Sequence, residues 1–558
     1  MPGFSNIQIT GTGGIGTAAV TEVNATNTFL YGDNLTLVKG RQTFKMGGQW
    51  LRYQQNRFYP GNNGLLGLYQ YTGQYTGNGF ADFLLDQLTR KGVGNTGGTN
   101  PGTWGHRQNR IGVFFQDDVK VRSNLTLNLG LRTDKEEIPS YTEGNEGIKF
   151  GFGEKISPRA GFAWDIKGDG TWKGYGSFGI FYDTSKLEMP RGLFGSEHSV
   201  TYYMTLDTFN WQSIQCGHPP VPGPTCPGTY IEQVDFRHAA NEKDNFLIDP
   251  NLKPIRTHEY TLGMDHELTQ RISVGVRYSR KRFDRTIEDT GVAVPGIGEV
   301  FRITNPGEGI GENVLRDFAG CTTCPNQPKP TRHYDGVEFR FVKRLSNRWA
   351  LTSTYLYSRL YGNYSGLTSS DENSRNSPSV NRFFDGQFNS FDRLGKPVFG
   401  RLQTDRPHVF KVEGAYDTPW GTGVGLYWLA ENGTPMQTQM SQQGIPFFPF
   451  GRGNLGRTPT LTRTDLSLRH DFRVWNGNAI EIGMNIENLF DQDFITRWFA
   501  TPYRDTFNVS NATFFSGTFD PVAVQAAAPA TFRPDPRFGL TDQYQTRREM
   551  RLQLKYSF

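Results

Sequence analysis

Residues 124–133 read NLTLNLGLRT. Leu125, Leu127, Leu129 and Leu131 fall on one side of an extended chain, and Thr126, Asn128, Gly130 and Arg132 on the other. Side chains of a β-strand alternate between faces, so this is the pattern of a strand with one apolar and one polar face. The same period recurs at 271–279 (RISVGVRYS), where Ile272, Val274, Val276 and Tyr278 oppose Ser273, Gly275, Arg277 and Ser279. It recurs at 480–486 with Ile480, Ile482, Met484 and Ile486. Helical periodicity is nearly missing. A soluble sandwich turns such apolar faces inward, whereas a transmembrane barrel turns them to lipid and its polar faces to a lumen. Alternation alone does not separate the two.

The connections do. Very short turns lie at 39–41 (KGR), 122–124 (RSN), 167–170 (KGDG), 269–271 (TQR), 346–348 (SNR), 417–421 (DTPWG) and 475–477 (WNG). Gly, Asn, Asp and Pro supply the backbone angles that tight turns require. Between them run long, strand-poor segments at about 57–105, 135–156, 184–256, 286–330, 361–403, 432–459 and 490–543. Short and long connections alternate, and in an antiparallel meander this puts every short turn at one end and every long loop at the other. That is the layout of an outer-membrane barrel, with short periplasmic turns and long extracellular loops.

Composition fits that fold class. Glycine contributes 66 of 558 residues and aromatics 14%, as strands, turns and interfacial rings require. Mean hydropathy is -0.56, and no run of 18 apolar residues offers a spanning helix. The net charge of +5 is small for this length and there is no block of like charge, so no nucleic-acid-binding tail is expected. Seven hairpins plus a last strand at 544–558 give fifteen strands. Residues 5–10 (SNIQIT) are a weak sixteenth, which an antiparallel bacterial barrel would need to close.

The chain ends REMRLQLKYSF, with Met550, Leu552, Leu554, Tyr556 and Phe558 alternating with polar residues. This resembles the signal read by the outer-membrane barrel assembly machinery. The alternative is an edge strand that happens to end the chain. Residues 1–17 have neither the basic nor the apolar region of a secretion signal. The chain is therefore expected to be mature, truncated or a piece.

Several segments resemble the barrel of TonB-dependent outer-membrane transporters, in particular Oar-like receptors. They are GRQTFKMGGQW (40–50), FFQDDVKVRSNLTLNLGLR (114–132), SPRAGFAWDIKGDGTWKGYGSFGIFYD (157–183), NLKPIRTHEYTLGMDHEL (251–268), LYGNYSGLTSSDEN (360–373), DRPHVFKVEGAYDTPWG (405–421) and IENLFDQDF (486–494). They recur in order from about residue 27 to the end. The resemblance implies a barrel of about 22 strands occluded by an N-terminal plug, with a TonB-contacting segment before it. This sequence shows neither plug nor TonB-contacting segment. The expectation is an N-terminally truncated chain, with residues 1–558 as the C-terminal part of one outer-membrane barrel domain.

The resemblance implies energised uptake of an extracellular ligand, with outer-membrane lipid, the assembly machinery and, through the absent plug, the TonB complex as partners. No cofactor or nucleic acid is implied. The alternatives are a passive porin of sixteen strands, closed by pairing 5–10 with 544–558, and a surface barrel used for adhesion. The polar alternates Thr126, Asn128, Arg132 and Arg277 are candidates to face the lumen.

All four cysteines, Cys216, Cys226, Cys321 and Cys324, fall in long loops. In an oxidising compartment disulfides are their expected use. A four-thiolate zinc site is the sharper alternative, although the ten-residue spacing of the first pair fits it poorly. Asp371, Glu372, Asn373, Asn376, Asn381 and Asp385 supply oxygens for a calcium site, but without a recognised spacing, and a solvated loop is the plainer reading. Phe447, Phe448 and Phe450, with Phe383 and Phe384, either line a ligand vestibule or anchor loops to one another. Residues 80–89 form the best short helix. There is no Gly-x-Ser-x-Gly, His-Glu-x-x-His or P-loop, and His258 and His408 sit on strands among ordinary neighbours, so no enzyme is expected.

Overall fold

Asn347 and Arg348 both have positive φ, 53° and 70°, and they join Arg332–Ser346 to Trp349–Gly362 through a pairing of Ser346 with Trp349. Two central residues of positive φ give the turn whose twist matches that of the flanking strands. The structure is a computed structural model. It describes residues 6–10, 12–15, 23–58, 68–85, 90–96, 103–140, 147–185, 187, 199–205, 221, 223–226, 228–236, 248–294, 298–364, 387–473 and 478–558.

Among the described residues the main sheet has seventeen strands. Two members, Ile148–Phe150 and Gly400–Arg401, are short additions, which leaves fifteen long strands. They are β1 (Val23–Lys39), β2 (Gln42–Phe58), β3 (Thr103–Arg122), β4 (Leu125–Ile138), β5 (Ile156–Asp165), β6 (Trp172–Tyr182), β7 (Arg256–Thr269) and β8 (Ile272–Arg285). There follow β9 (Arg332–Ser346), β10 (Trp349–Gly362), β11 (His408–Asp417), β12 (Thr422–Glu431), β13 (Leu461–Arg473), β14 (Ala479–Glu487) and β15 (Glu549–Ser557). Each pairs antiparallel with its sequence neighbour in an unbroken meander. All short turns therefore share one end.

The register aligns the apolar alternates across strands. One row runs Leu262, Tyr278, Val337, Tyr357, and the row below it Met264, Val276, Phe339, Tyr355. These faces are not a core. Leu129, Leu131, Leu262, Phe339 and Ile482 are all among the exposed large hydrophobics. The buried apolar residues sit instead at the long-loop end, in a cluster that includes Val314, Phe388, Met440, Phe447, Phe507, Phe514 and Phe519. A second cluster gathers Ile138, Ile148, Phe150, Leu252, Ile255, Ile287 and Ile303. A sheet with bare apolar strands and a buried loop core is built for lipid, not for water.

Two expectations are corrected. Asn6–Ile9 is not a barrel strand. It pairs with Gly13–Ile15 and, in parallel, with Leu68–Tyr71, inside a separate six-stranded sheet with Arg90–Thr96, Ser199–Met204 and Tyr230–Phe236. Ile9, Tyr69 and Tyr71 are buried together there, and this apolar contact draws the segment away from the barrel edge. The sixteen-stranded closure through residues 5–10 is thereby excluded. The long connections are also not poor in strands. Besides that sheet they carry hairpins at Glu288–Val294 with Gly298–Thr304 and at Met440–Gln442 with Ile445–Phe447, and a pair Ile495–Trp498 with Thr541–Tyr544.

Among the described residues β1 is paired on one side only, with β2, and β15 on one side only, with β14, and no residue register joins β1 to β15. Both are exposed along their length, β1 from Ala25 onward. As the first and fifteenth members of an antiparallel meander, they run in the same direction.

Candidate functional site

The polar face is organised by charge. In β4, Arg132 grips Asp134 with two donors (2.9 and 2.7 Å), and Arg110 of β3 adds a third at 3.1 Å. One step further toward the loops, Glu136 is fully buried and accepts from Gln108 (2.6 Å), from the Ser185 amide (2.8 Å) and from the buried Lys155. A buried carboxylate survives only when so many donors replace water.

Below the loop core this face opens into a cavity of about 710 Å³ between β7 and β11. Glu259, Lys281, Phe283, Tyr334, Asp405 and Arg406 line it. Lys281 pairs with Glu259 at 2.9 Å. Asp405 is buried and is held by the Leu360 amide (2.6 Å) and Arg457 (2.5 Å). Arg406 reaches Glu431 at 3.1 Å. Phe283 stacks on Tyr364 with centroids 5.0 Å apart. Glu259 also borders a second cavity of about 550 Å³, lined by Phe114, Gln116, Asn128, Arg132, Arg159 and Tyr175 among others. Gly263 has no side chain where the Tyr175 ring lies, and a Cβ there would overlap the ring. In the second cavity Arg159 lies 4.8 Å over the Phe181 ring. The two hollows offer both signs of charge beside aromatic rings, which suits a polar, partly aromatic solute more than an apolar one.

Of the four polar alternates, Asn128 and Arg132 line the second cavity. Asn128 donates to Asp118 at 2.6 Å. Arg277 pairs with Glu338 at 3.1 Å, and Thr126 stands opposite Ala163 and Lys120 in the same sheet. Glu259, Lys281 and Asp405 escaped the sequence reading. The alternation marks Glu259 and Lys281 as polar-face residues, but nothing local shows that they meet.

In the loops, Cys321 and Cys324 form a disulfide (Sγ–Sγ 2.02 Å, Cα–Cα 5.5 Å), and both are buried. Cys226 is disulfide-bonded too, while Cys216 lies outside the described residues. This overturns the four-thiolate zinc alternative, because oxidised sulfur offers no thiolate. Phe447 and Phe448 are 0% and 1% exposed. Phe447 packs edge-on against Phe514 at 5.0 Å, so these two rings anchor loops and do not line a vestibule. Phe383, Phe384 and the oxygen-rich set Asp371, Glu372, Asn373, Asn376, Asn381 and Asp385 lie outside the described residues. The expected short helix spans Gly79–Leu84, with Asn78 accepting from the Phe80 and Ala81 amides. His408 bonds Tyr355 at 2.7 Å, and His258 stands 3.8 Å from Asp284.

An antiparallel meander with exposed apolar rows, a polar inner face and a loop core at one end is an outer-membrane β-barrel. The model of the outer membrane beta barrel domain matches residues 1–155 and 152–434, and the chain belongs to that family. It is 26% identical over 408 residues to the TonB-dependent transporter Oar of Myxococcus xanthus, which covers 68% of this chain and 35% of Oar. The chain thus spans about a third of that relative's length. Among solved structures, the outer membrane transporter YddB of Escherichia coli superposes with a TM-score of 0.51 at 10% identity, over 88% of this chain and 52% of that one. The closed ferric-catecholate import receptor Fiu of E. coli K12 gives a TM-score of 0.45 at 11% identity, over 96% and 55%. The protein is located in the outer membrane, and its short turns face the periplasm.

Proposed function

We propose that the chain is the barrel portion of a TonB-dependent outer-membrane receptor that takes up an extracellular ligand with energy from the inner membrane. The observation that carries this reading is the arrangement of β1 and β15. Fifteen antiparallel strands leave two edges that run the same way, and an antiparallel ring closes only when an odd number of further strands lies between them. A receptor barrel of about 22 strands supplies such a number. Residues 1–558 are then the C-terminal part of one barrel domain, and a plug and TonB-contacting segment belong to the rest. The similarity to Oar supports the same reading.

In this role the barrel supplies the wall and the loops supply the binding surface. Thr126, Asn128, Arg132 and Arg277 face the lumen, and the two cavities give a ligand or plug surface its polar contacts. Met550, Leu552, Leu554, Tyr556 and Phe558 address the chain to the assembly machinery. The disulfide-bonded Cys226 belongs to an outward loop. The role is transport and not catalysis. The test is electrical. Intact native protein in a planar bilayer is expected to pass no steady current, because a plug fills the lumen. A steady current of porin size sinks the proposal.

A further inference from the structure

The outer wall of β7–β10 changes character abruptly at its long-loop end. Above the row Leu262, Tyr278, Val337, Tyr357 comes the row Tyr260, Arg280, Asp335, Arg359, and above that His258, Arg282, His333, Tyr361. These residues continue the apolar alternates, so their Cα–Cβ bonds point outward with the lipid-facing side chains and not into the lumen. The tyrosines mark the membrane–water interface, where rings with one polar end collect. The arginines therefore stand at the headgroups of the outer leaflet.

The charges there do not cancel. Asp335 accepts from Tyr278 (2.7 Å) and Arg282 (2.7 Å), and Arg282 also donates to the Tyr334 and Lys281 carbonyls at 3.1 Å each. That carboxylate is fully engaged. Arg280 stands 3.9 Å away from it, outside hydrogen-bond distance, with its side chain half exposed. Arg359, directly across Asp335 on the other side, is exposed, and its guanidinium lies 4.6 Å over the Tyr361 ring with no ion pair among the described residues. The nearby Asp284 is taken by Arg256 at 2.5 Å. Three guanidinium groups thus face one carboxylate in these two rows; Arg280 pairs with it only at long range, and neither the Arg280 nor the Arg359 side chain has a hydrogen-bond partner among the described residues. Arginine donors match phosphate oxygens in geometry and charge.

We propose that Arg280 and Arg359, framed by Tyr260, Tyr357 and Tyr361, form a binding site on the outer barrel wall for the phosphorylated headgroup of an outer-leaflet lipid. Asp335 stands between the two arginines in the register, and the headgroup bridges them. The site rests on the barrel's place in the outer membrane and is independent of what the lumen carries.

The test uses the native full-length protein, purified and stripped of lipid, with phosphatidylcholine vesicles containing either lipopolysaccharide or the same lipopolysaccharide with its phosphates removed. Wild-type protein is expected to prefer the phosphorylated lipid. The double variant Arg280→Gln/Arg359→Gln is expected to bind it roughly 30-fold more weakly, the size for losing two arginine–headgroup attractions. Arg271→Gln, in a short turn at the opposite membrane edge, is expected to change nothing. A heat-dependent gel shift checks that each variant keeps its barrel. Equal binding of both lipids by wild-type protein overturns the proposal without recourse to any variant. So does an unchanged affinity in a folded double variant, an equal loss in Arg271→Gln, or displacement of the lipid by equimolar inorganic phosphate.

Discussion

Glu136 is 0% exposed and has three kinds of donor: an amide side chain, a backbone N–H and the Lys155 ammonium. Removing one member of such a buried pair leaves the other uncompensated, at a cost of about 3–5 kcal/mol. Glu136→Ala is expected to lower the urea midpoint of the folded barrel by that measure, and Glu136→Ala combined with Lys155→Met to recover part of it. A smaller midpoint shift in the double variant than in the single one is the diagnostic result. In the loops, Arg537 donates to Asp535 at 2.9 and 2.7 Å and holds its carboxyl down to about 2, from an ordinary 3.8. A carboxylate with a depressed value stabilises the fold above its unfolded value and loses that contribution as pH falls through the folded one. Amide exchange around Asp535, corrected for the intrinsic pH effect, is expected to speed up between about pH 4 and 2, and Asp535→Asn to remove that step. These residue-level facts were half legible. Alternation put Arg132 on the polar face, but the partners of Glu136 come from β3, Lys155 and Ser185, which no local pattern brings together.

At the scale of elements, the last strand is the most legible part of the chain and the least buried. Phe558 is 99% exposed and Leu552 80%; the Phe558 ring stacks on Tyr556 of its own strand at 5.9 Å, so its loss opens no buried core. Deleting Phe558 is expected to cut the amount of barrel reaching the outer membrane severalfold while leaving the melting temperature of the assembled fraction unchanged. A fall in both measurements would make its role structural. The loop core behaves in the opposite way. Phe514 is fully buried and meets Phe388, Phe447 and Phe519 at 4.9, 5.0 and 5.2 Å. Phe514→Ala is expected to cost the loop assembly about 3–5 kcal/mol, seen as faster proteolysis of residues 490–543 with the barrel strands still protected. Strands announced themselves because their period is two and their neighbours are local. The loop core did not, because its rings are supplied by segments far apart in sequence.

At the scale of the whole molecule, the inversion of apolar burial is the feature that matters. Tyr357, Leu426 and Leu554 are bare on the wall, while Phe507 and Phe514 are enclosed in the loops. Transfer to lipid therefore stabilises the wall, and the loops keep their own core in water. The bland expectation for residues 5–10, a strand completing the ring, failed for a physical reason. A four-residue strand gains more by burying Ile9 beside Tyr69 and Tyr71 than by lying on an exposed barrel edge.

The sequence by itself determined the strands, their facing and the end at which every turn and loop falls, because period-two alternation and turn chemistry are local properties of the chain. Only the tertiary structure decided which carboxylate meets which cation, that the loop phenylalanines form a core, and that β1 and β15 lack a shared register. Apart from neighbours such as Arg132 with Asp134 and Arg537 with Asp535, those outcomes depend on contacts between residues tens to hundreds of positions apart, and no short window of sequence contains both partners.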